Sequence, residues 1–237
     1  MTEAVWLSCD DPARMLTHLI AGNLTRGFNP ISDRKLRLFA CACCRQIWCL
    51  LTDERSRQAV QVAERHADGC VGREELETAG MNAWVATRQI QRSAVLIAAT
   101  EAAADAAALA AVIMKADIAT PQIARAAARA AGENVRDIRP GQAVQAALLR
   151  EIVGNPWRPR PHARQLAQWV SDYGKAGLGI AGMADLIYWD RDWEALPILA
   201  DRLEESGCDS RDMLDHLRSS DPHVRGCWCL DLLLGKE

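Results

Sequence analysis

Cysteine and histidine side chains recur at metal-binding spacings in two parts of this 237-residue chain. Cys41 and Cys44 are three residues apart in a segment with helical periodicity, so about 60° separates them around a helix axis. His223 and Cys227 are four residues apart, a spacing that places two side chains on one helix face. Thiolate and imidazole are favoured ligands of zinc. These four residues therefore predict a Cys3His zinc site.

The nine cysteines of the chain also have a simpler interpretation as small apolar residues in helix cores. Cys43 points about 160° away from Cys41 and falls on the apolar stripe with Leu36 and Ile47. A cysteine pair inside a long amphipathic helix lacks the glycine or proline turn typical of zinc knuckles. The odd number of cysteines and the lack of a secretion signal indicate reduced thiols. We therefore favour core packing, with zinc as the alternative and no other cofactor.

No catalytic motif of the chain stands in the structural context that its chemistry requires. The pattern from Gly177 to Gly182 matches GxGxxG, but a helical period precedes it where a nucleotide-binding fold needs a strand. We therefore favour a non-catalytic role and leave enzymatic activity open. An enzyme would require the fold to join acids and histidines that the sequence keeps apart. Examples are Asp215, His216, Asp221 and His223.

Arginine dominates the stretch 121–164, which includes the loop sequence WRPRPHAR. Guanidinium groups hold phosphates, and the aromatic rings between them can stack on bases. The stretch therefore predicts nucleic-acid contact. The alternative is that these arginines solvate outer helix faces or pair with the acidic C-terminal part. The candidate contact residues are Arg125, Arg129, Arg158, Arg160 and Arg164.

Two tryptophans, Trp189 and Trp193, flank a charged tripeptide at a predicted helix boundary. An exposed tryptophan pair is typical of an interface hot spot, so these residues are candidates for a partner interface. The alternative is that both rings cap the core between adjacent helices.

Almost every segment shows the apolar spacing of amphipathic helices, and no run of alternating β-branched residues predicts a strand. The sequence therefore predicts an all-α multi-helix bundle, with a long Ala-rich central helix and a C-terminal array of short helices. Alanine favours helix and lets a neighbouring helix approach closely. The predicted helices cover 33–51, 52–69, 73–116, 121–132, 141–153, 163–173, 180–188, 193–205, 210–218 and 223–234.

Charge and proline content both divide the chain near residue 160. Residues 1–160 carry 20 basic and 17 acidic side chains, whereas residues 161–237 carry 8 and 14. The two parts are oppositely charged and can dock, so we expect a single helical domain, 1–237. Its potential sub-units are 1–153 and 164–237, joined by the Pro-rich loop 154–163.

The composition, with 49% hydrophobic residues, 25% charged residues and a net charge of −3, is that of an ordinary globular protein. It excludes collagen-like, disordered and membrane classes. The N-terminal sequence MTEAVWLSCDDPARML lacks the basic region and apolar run of a signal peptide. We therefore expect a cytoplasmic protein without membrane contact.

Several phrases of the chain resemble a bacterial protein family to which no activity is assigned. They include the start MTEAVWL, the helix RKLRLFACACCR, the turn GNPWRP, and the ending HVRGCW to LLLGKE. The resemblance covers both ends and the first third of the chain. It implies a shared fold unit and weakly suggests an adaptor role.

These observations together predict a non-catalytic helical module for protein interaction or scaffolding, which binds a protein partner or self-associates. The alternative is a zinc-stabilised protein associated with nucleic acid. In that alternative, zinc would lie at Cys41, Cys44, His223 and Cys227, and the arginine-rich stretch 121–164 would contact phosphates.

Overall fold

The computed structural model describes residues 1–21, 31–91, 139–170 and 178–236. Over these ranges the chain is all-helical and forms no strand, which confirms the predicted all-α multi-helix fold. The α-helices are α1 (Glu3–Ser8), α2 (Pro12–Ala21), α3 (Asp33–Gln46), α4 (Glu54–Ala67), α5 (Arg73–Gln91), α6 (Arg139–Val153), α7 (Ala163–Val170), α8 (Ile180–Asp190), α9 (Leu196–Glu205), α10 (Arg211–Leu217) and α11 (Trp228–Leu234).

Side-chain caps determine where α3 and α4 begin. The hydroxyl of Ser32 accepts a hydrogen bond from the main-chain N–H of Lys35, as the N-cap preference of serine predicts. The carboxylate of Asp53 accepts from the main-chain N–H of Arg55 at 2.9 Å and caps α4. The helix start predicted at Thr52 is therefore one residue early. Asp53 is the more favourable cap because its negative charge also interacts with the positive end of the helix dipole.

Helix α3 passes through the middle of a first hydrophobic core, packed against α4 and α6. Residues 38–44 of this helix are all buried, so its middle turns have no face exposed to water. Helix α2 packs on α6, and α5 packs on α4. The buried apolar residues of α3 are Leu36, Leu38, Phe39, Ala40, Cys41, Ala42, Cys43 and Cys44.

The short C-terminal helices surround a second core. Helix α8 contacts α7, α9 and α11, and α10 packs on α9. Helix α11 also contacts α6, so it joins the second core to the first. The largest fully buried side chain of this core is Tyr188, and Leu196, Leu199, Leu217 and Leu230 complete its centre.

A buried ionic cluster ties α3 to the second core. The guanidinium of Arg34 donates to Asp231 at 2.7 and 2.9 Å, to Asp68 at 2.8 Å, and to the hydroxyl of Tyr188. The ammonium of Lys35 also pairs with Asp231, whose side chain is completely buried. Buried charges are stable only when they are paired, so this cluster requires α3, α4, α8 and α11 to dock together.

A second ionic cluster ties α4 to the end of α8. Glu64 accepts two hydrogen bonds from Arg45 and a third from Arg191. Arg191 has a φ of 59°, the left-handed conformation that glycine usually provides at a helix end. The ion pair of Arg191 with Glu64 and the packing around it offset the free-energy cost of this backbone conformation in a residue other than glycine.

Several predicted helix boundaries are wrong. The helix predicted for 33–51 ends at Gln46, and a separate 3-10 turn covers Trp48–Leu50. The last helix begins at Trp228, five residues later than predicted, because Gly226 adopts a φ of 89° that a right-handed helix cannot contain. Of the central helix predicted for 73–116, residues 73–91 form α5, whereas its Ala-rich remainder and the helix predicted for 121–132 lie outside the described residues.

Candidate metal centre

Four side chains from three segments of the chain bring their donor atoms together. Glu151 lies near the C-terminal end of α6, and His216 lies in the last turn of α10. His223 belongs to the loop between α10 and α11, and Cys227 is the N-cap residue of α11. One ligand atom from each residue lies within 4.8 Å of all the others. We call these four residues the Glu-His-His-Cys group.

The loop that carries two of these donors is held in place by the first core. The ammonium of Lys35 donates to the main-chain carbonyls of Gly226, at 3.1 Å, and Ile152, at 3.0 Å. These carbonyls are next in sequence to Cys227 and Glu151. The buried ammonium of Lys35 therefore holds the main chain beside Glu151 close to the main chain beside Cys227.

Three distances within the group are close to those between neighbouring ligands of one tetrahedral ion. Nε2 of His216 lies 3.2 Å from Sγ of Cys227 and 3.3 Å from Oε2 of Glu151. Nδ1 of His223 lies 3.1 Å from Oε1 of Glu151. Ordinary zinc bond lengths and tetrahedral angles place such neighbouring donor atoms about 3.3 to 3.6 Å apart. The donor atoms lie up to 4.8 Å apart, and Glu151 faces the two histidines with different oxygens, so the side chains would have to move together by about 1 Å to complete the coordination sphere.

The group is buried, and burial sets its protonation. Burial lowers the pKa of His216. The negative charge of the Glu151 carboxylate raises this pKa, but it offsets the effect of burial only in part. Burial also acts to lower the pKa of His223, but the hydrogen bond and charge of Glu151 outweigh it, so the net shift is upward. Burial, with the charge of Glu151, raises the pKa of the Cys227 thiol well above its ordinary value. Without a metal ion, Cys227 is therefore a neutral thiol.

A divalent cation bound by the group would reverse the preference of Cys227 for the neutral thiol. A nearby cation favours the thiolate, and a metal ligand must give up its proton before it binds. Zinc with one carboxylate, one thiolate and two neutral imidazoles has a net charge of zero, which suits a buried position. Imidazole and thiolate ligands select zinc over magnesium or calcium, which prefer oxygen.

The same residues do not form a nucleophile and base of the Cys-His type. In a catalytic triad, the two ring nitrogens of histidine face different partners, the nucleophile and the orienting acid. Here both Cys227 and Glu151 face the same nitrogen, Nε2 of His216. The Cys227 side chain is also fully buried, whereas reactive cysteines are accessible and have lowered pKa values. Convergence on one point is the geometry of metal ligation.

The structure brings together two of the four residues predicted to bind zinc, His223 and Cys227. Cys41 and Cys44 lie in the first core, outside the Glu-His-His-Cys group, where burial raises the pKa of both thiols. The thiol of Cys41 faces the main-chain carbonyl of Val60 at 3.8 Å. His223 and Cys227 do meet, but through a loop rather than along the helix face that their spacing predicted.

Sequence reasoning missed Glu151 and His216 as partners in this group. His216 lies seven residues before His223 and eleven before Cys227, and this cluster of soft ligands is the signal that could have identified it. Glu151 lies 72 residues from His223 and carries no local signal. Only the packing of α6 against α11 brings it to the site.

Three of the predicted nucleic-acid residues lie in the described part of the chain, and all three are exposed. Arg158 forms ion pairs with Glu3 and Asp212, which reduce the positive charge that it can offer to a phosphate. Arg160 and Arg164 are exposed. Two further candidates, Arg125 and Arg129, lie outside the described residues.

The predicted interface tryptophans both pack partly buried against the second core. The indole N–H of Trp189 donates to Asp185 at 3.0 Å, and Arg225 and Lys236 lie over its ring. The face of Trp189 is therefore covered by cations of its own chain. Trp193 stands at the start of the 3-10 turn that leads into α9.

Comparison with protein-family models, curated proteins and solved structures finds no match. The resemblance to a bacterial family therefore stays a prediction. Among the described residues, no helix combines the length and apolarity needed to cross a bilayer.

Proposed function

We propose that this chain is a zinc-binding helical protein in which the metal fastens the C-terminal helices to the first core. The observation that carries the proposal is the convergence of four donor atoms, from α6, α10 and the loop before α11, within 4.8 Å. Because the ligands come from distant segments, binding would close long stretches of chain. Metal-binding energy then becomes folding energy.

The coordination supports a structural zinc ion rather than a catalytic one. Catalytic zinc keeps one position open for water or substrate, whereas four protein ligands close the tetrahedron. The side chains of Glu151 and His223 are each 5% exposed, and Cys227 is fully buried. These three ligands give a substrate no path to the ion, and the side chain of the fourth, His216, is 16% exposed.

For the folded unit as a whole, we propose a non-catalytic role in protein interaction or scaffolding. The non-catalytic part of this proposal is supported by the Glu-His-His-Cys group. If all four of its residues bind zinc, none of them remains to act on a substrate. Affinity purification of the tagged protein, with and without nuclease, tests this role. We expect a stoichiometric protein partner, or a second copy of the chain, that survives nuclease. Loss of every partner after nuclease treatment would favour the nucleic-acid alternative.

Metal content of the purified protein tests zinc binding, with Cys227→Ser as the variant and Cys229→Ser as its matched control. Both thiols are fully buried and two residues apart, but Cys229 is outside the Glu-His-His-Cys group. We expect about one zinc per chain in the wild type and in Cys229→Ser, and a large loss in Cys227→Ser. Equal zinc content in both variants, or none in the wild type, would overturn the proposal.

A further inference from the structure

We propose that helix α5 binds the same helix of a second copy of this chain, side by side and in the opposite direction. This partner and surface would serve the interaction role proposed above, on which the inference rests, and neither depends on zinc. Four exposed residues of α5 form the contact surface, which we call the α5 seam. They are Glu77, Met81, Trp84 and Arg88.

The spacing of the α5 seam is that of helices that pair along their length. Its intervals of four, three and four residues place all four side chains within an arc of about 60° around the helix axis. Paired helices use this alternation of three and four to face one partner. Helix α5 packs on α4 with a different face. The buried residues of that face include Leu76, Ala79, Ala83 and Ala86.

The middle of the α5 seam is apolar and exposed. Met81 is 62% exposed, and Trp84 is 50% exposed. The guanidinium of Arg88 lies over one side of the Trp84 ring, 5.0 Å from its centre, and the ring is half-exposed even so. Large apolar side chains that lie side by side in water gain free energy when a partner covers them, and tryptophan is enriched in such contacts.

The order of charges along the α5 seam identifies the partner as a second copy. In an antiparallel pair with a twofold axis between residues 82 and 83, residues equally far from the axis along the chain face each other. Met81 then faces Trp84 of the second copy. Glu77 faces Arg88 of the second copy, and each of these contacts occurs twice. The α5 seam is therefore complementary to itself in both charge and apolar content.

Glu77 already has a neighbour in its own helix. Its carboxylate accepts a hydrogen bond from Nε of Arg73 at 3.0 Å, and the two side chains are 54% and 72% exposed. An ion pair in water contributes little to stability, and a carboxylate can accept from two guanidinium groups. The internal pair therefore leaves Glu77 able to accept from the second copy.

Analytical ultracentrifugation over a range of protein concentrations tests the proposal. Because one helix pair buries less area than a standard interface, we expect a reversible dimer with a dissociation constant on the order of micromolar or weaker. Trp84→Ala should weaken this dimer about tenfold or more. Leu186→Ala is the matched control, since Leu186 is 52% exposed on α8, and it should leave the dimer unchanged.

Charge reversal tests the antiparallel alignment. Glu77→Arg and Arg88→Glu each place like charges opposite each other twice, so each variant alone should dimerise about tenfold more weakly than the wild type. An equal mixture of the two variants pairs opposite charges again and should recover the lost affinity. Thermal unfolding shows that each variant remains folded.

A wild type that stays monomeric at every concentration would overturn the inference. A lower melting temperature of Trp84→Ala would then show that another part of the same chain covers the α5 seam. Full dimerisation of both charge variants, or no recovery in their mixture, would also overturn it. If affinity purification retrieves a different protein while the purified chain is monomeric, the inference fails and the proposed interaction role stands.

Discussion

The substitution Gly226→Ala tests how the first core positions the metal-binding loop. Gly226 has a φ of 89°, and a Cβ at this position would lie 3.0 Å from Cδ1 and 3.2 Å from Cβ of Leu38. Gly207 has nearly the same φ, 90°, but a Cβ there would meet nothing within 4 Å. Gly207→Ala is therefore a matched control, which carries the backbone strain without the crowding.

The left-handed conformation costs an alanine about 1 to 2 kcal/mol at either position. Crowding in a packed core adds about 1 to 3 kcal/mol at Gly226 alone. A chain of this length loses about 2 to 4 °C of thermal midpoint per kcal/mol, so Gly226→Ala should melt about 2 to 12 °C below Gly207→Ala. Thermal unfolding followed by circular dichroism measures the difference.

Zinc affinity gives a second measurement on the same pair of variants. The carbonyl of Gly226 receives a hydrogen bond from Lys35, and Cys227 follows it directly. A shift of this turn away from Leu38 should weaken zinc binding in Gly226→Ala and not in Gly207→Ala. Equal melting temperatures and equal zinc affinities in the two variants would refute the positioning role of this turn.

Three further predictions concern charges and thiols. Asp231→Asn should destabilise the protein by about 3 to 5 kcal/mol in denaturant unfolding, because it removes the buried carboxylate that pairs with both Lys35 and Arg34; a loss below 1 kcal/mol would contradict this. Of the nine cysteines, Cys49 and Cys70 are exposed, so a thiol reagent should modify two thiols rapidly in the native protein. Modification of all nine thiols at one rate would contradict the burial of the other seven. Hydrogen bonds from the Arg55 guanidinium lower the pKa of Asp53, so its stabilising effect is fully present above the unfolded pKa of 3.8 and is lost as the pH falls from there through the lower pKa of the folded state. Asp53→Ala should therefore cost about 1 kcal/mol at neutral pH and little in strong acid, and an equal cost at both would contradict the assignment.

Local sequence signals were sufficient to predict the helical class and several helix ends. Ser32 begins α3 as its capping preference indicates, and the Pro-rich loop after α6 ends that helix as predicted. The positive φ of Gly226 was not predictable, because glycine permits this conformation without requiring it. Because of this conformation, α11 begins at Trp228 rather than at residue 223, and His223 approaches Cys227 from a loop rather than along a helix face.

The candidate metal centre was only half predictable for a related reason. Helical spacing shows which side chains share a face, but not which other helix that face will contact. Cys41 and Cys44 lie on α3 within the first core, and this helix packs against α4 and α6. Glu151 enters the site through tertiary packing between segments far apart in sequence. Such a contact leaves no trace in local composition.

X-ray absorption at the zinc edge tests the central claim most directly, because it counts the ligand types around the metal in the intact protein. The Glu-His-His-Cys group predicts one sulfur ligand at about 2.3 Å and three nitrogen or oxygen ligands at about 2.0 to 2.2 Å. Three sulfur ligands would instead match the site of Cys41, Cys44, His223 and Cys227. That result would contradict the structural zinc site described by the fold.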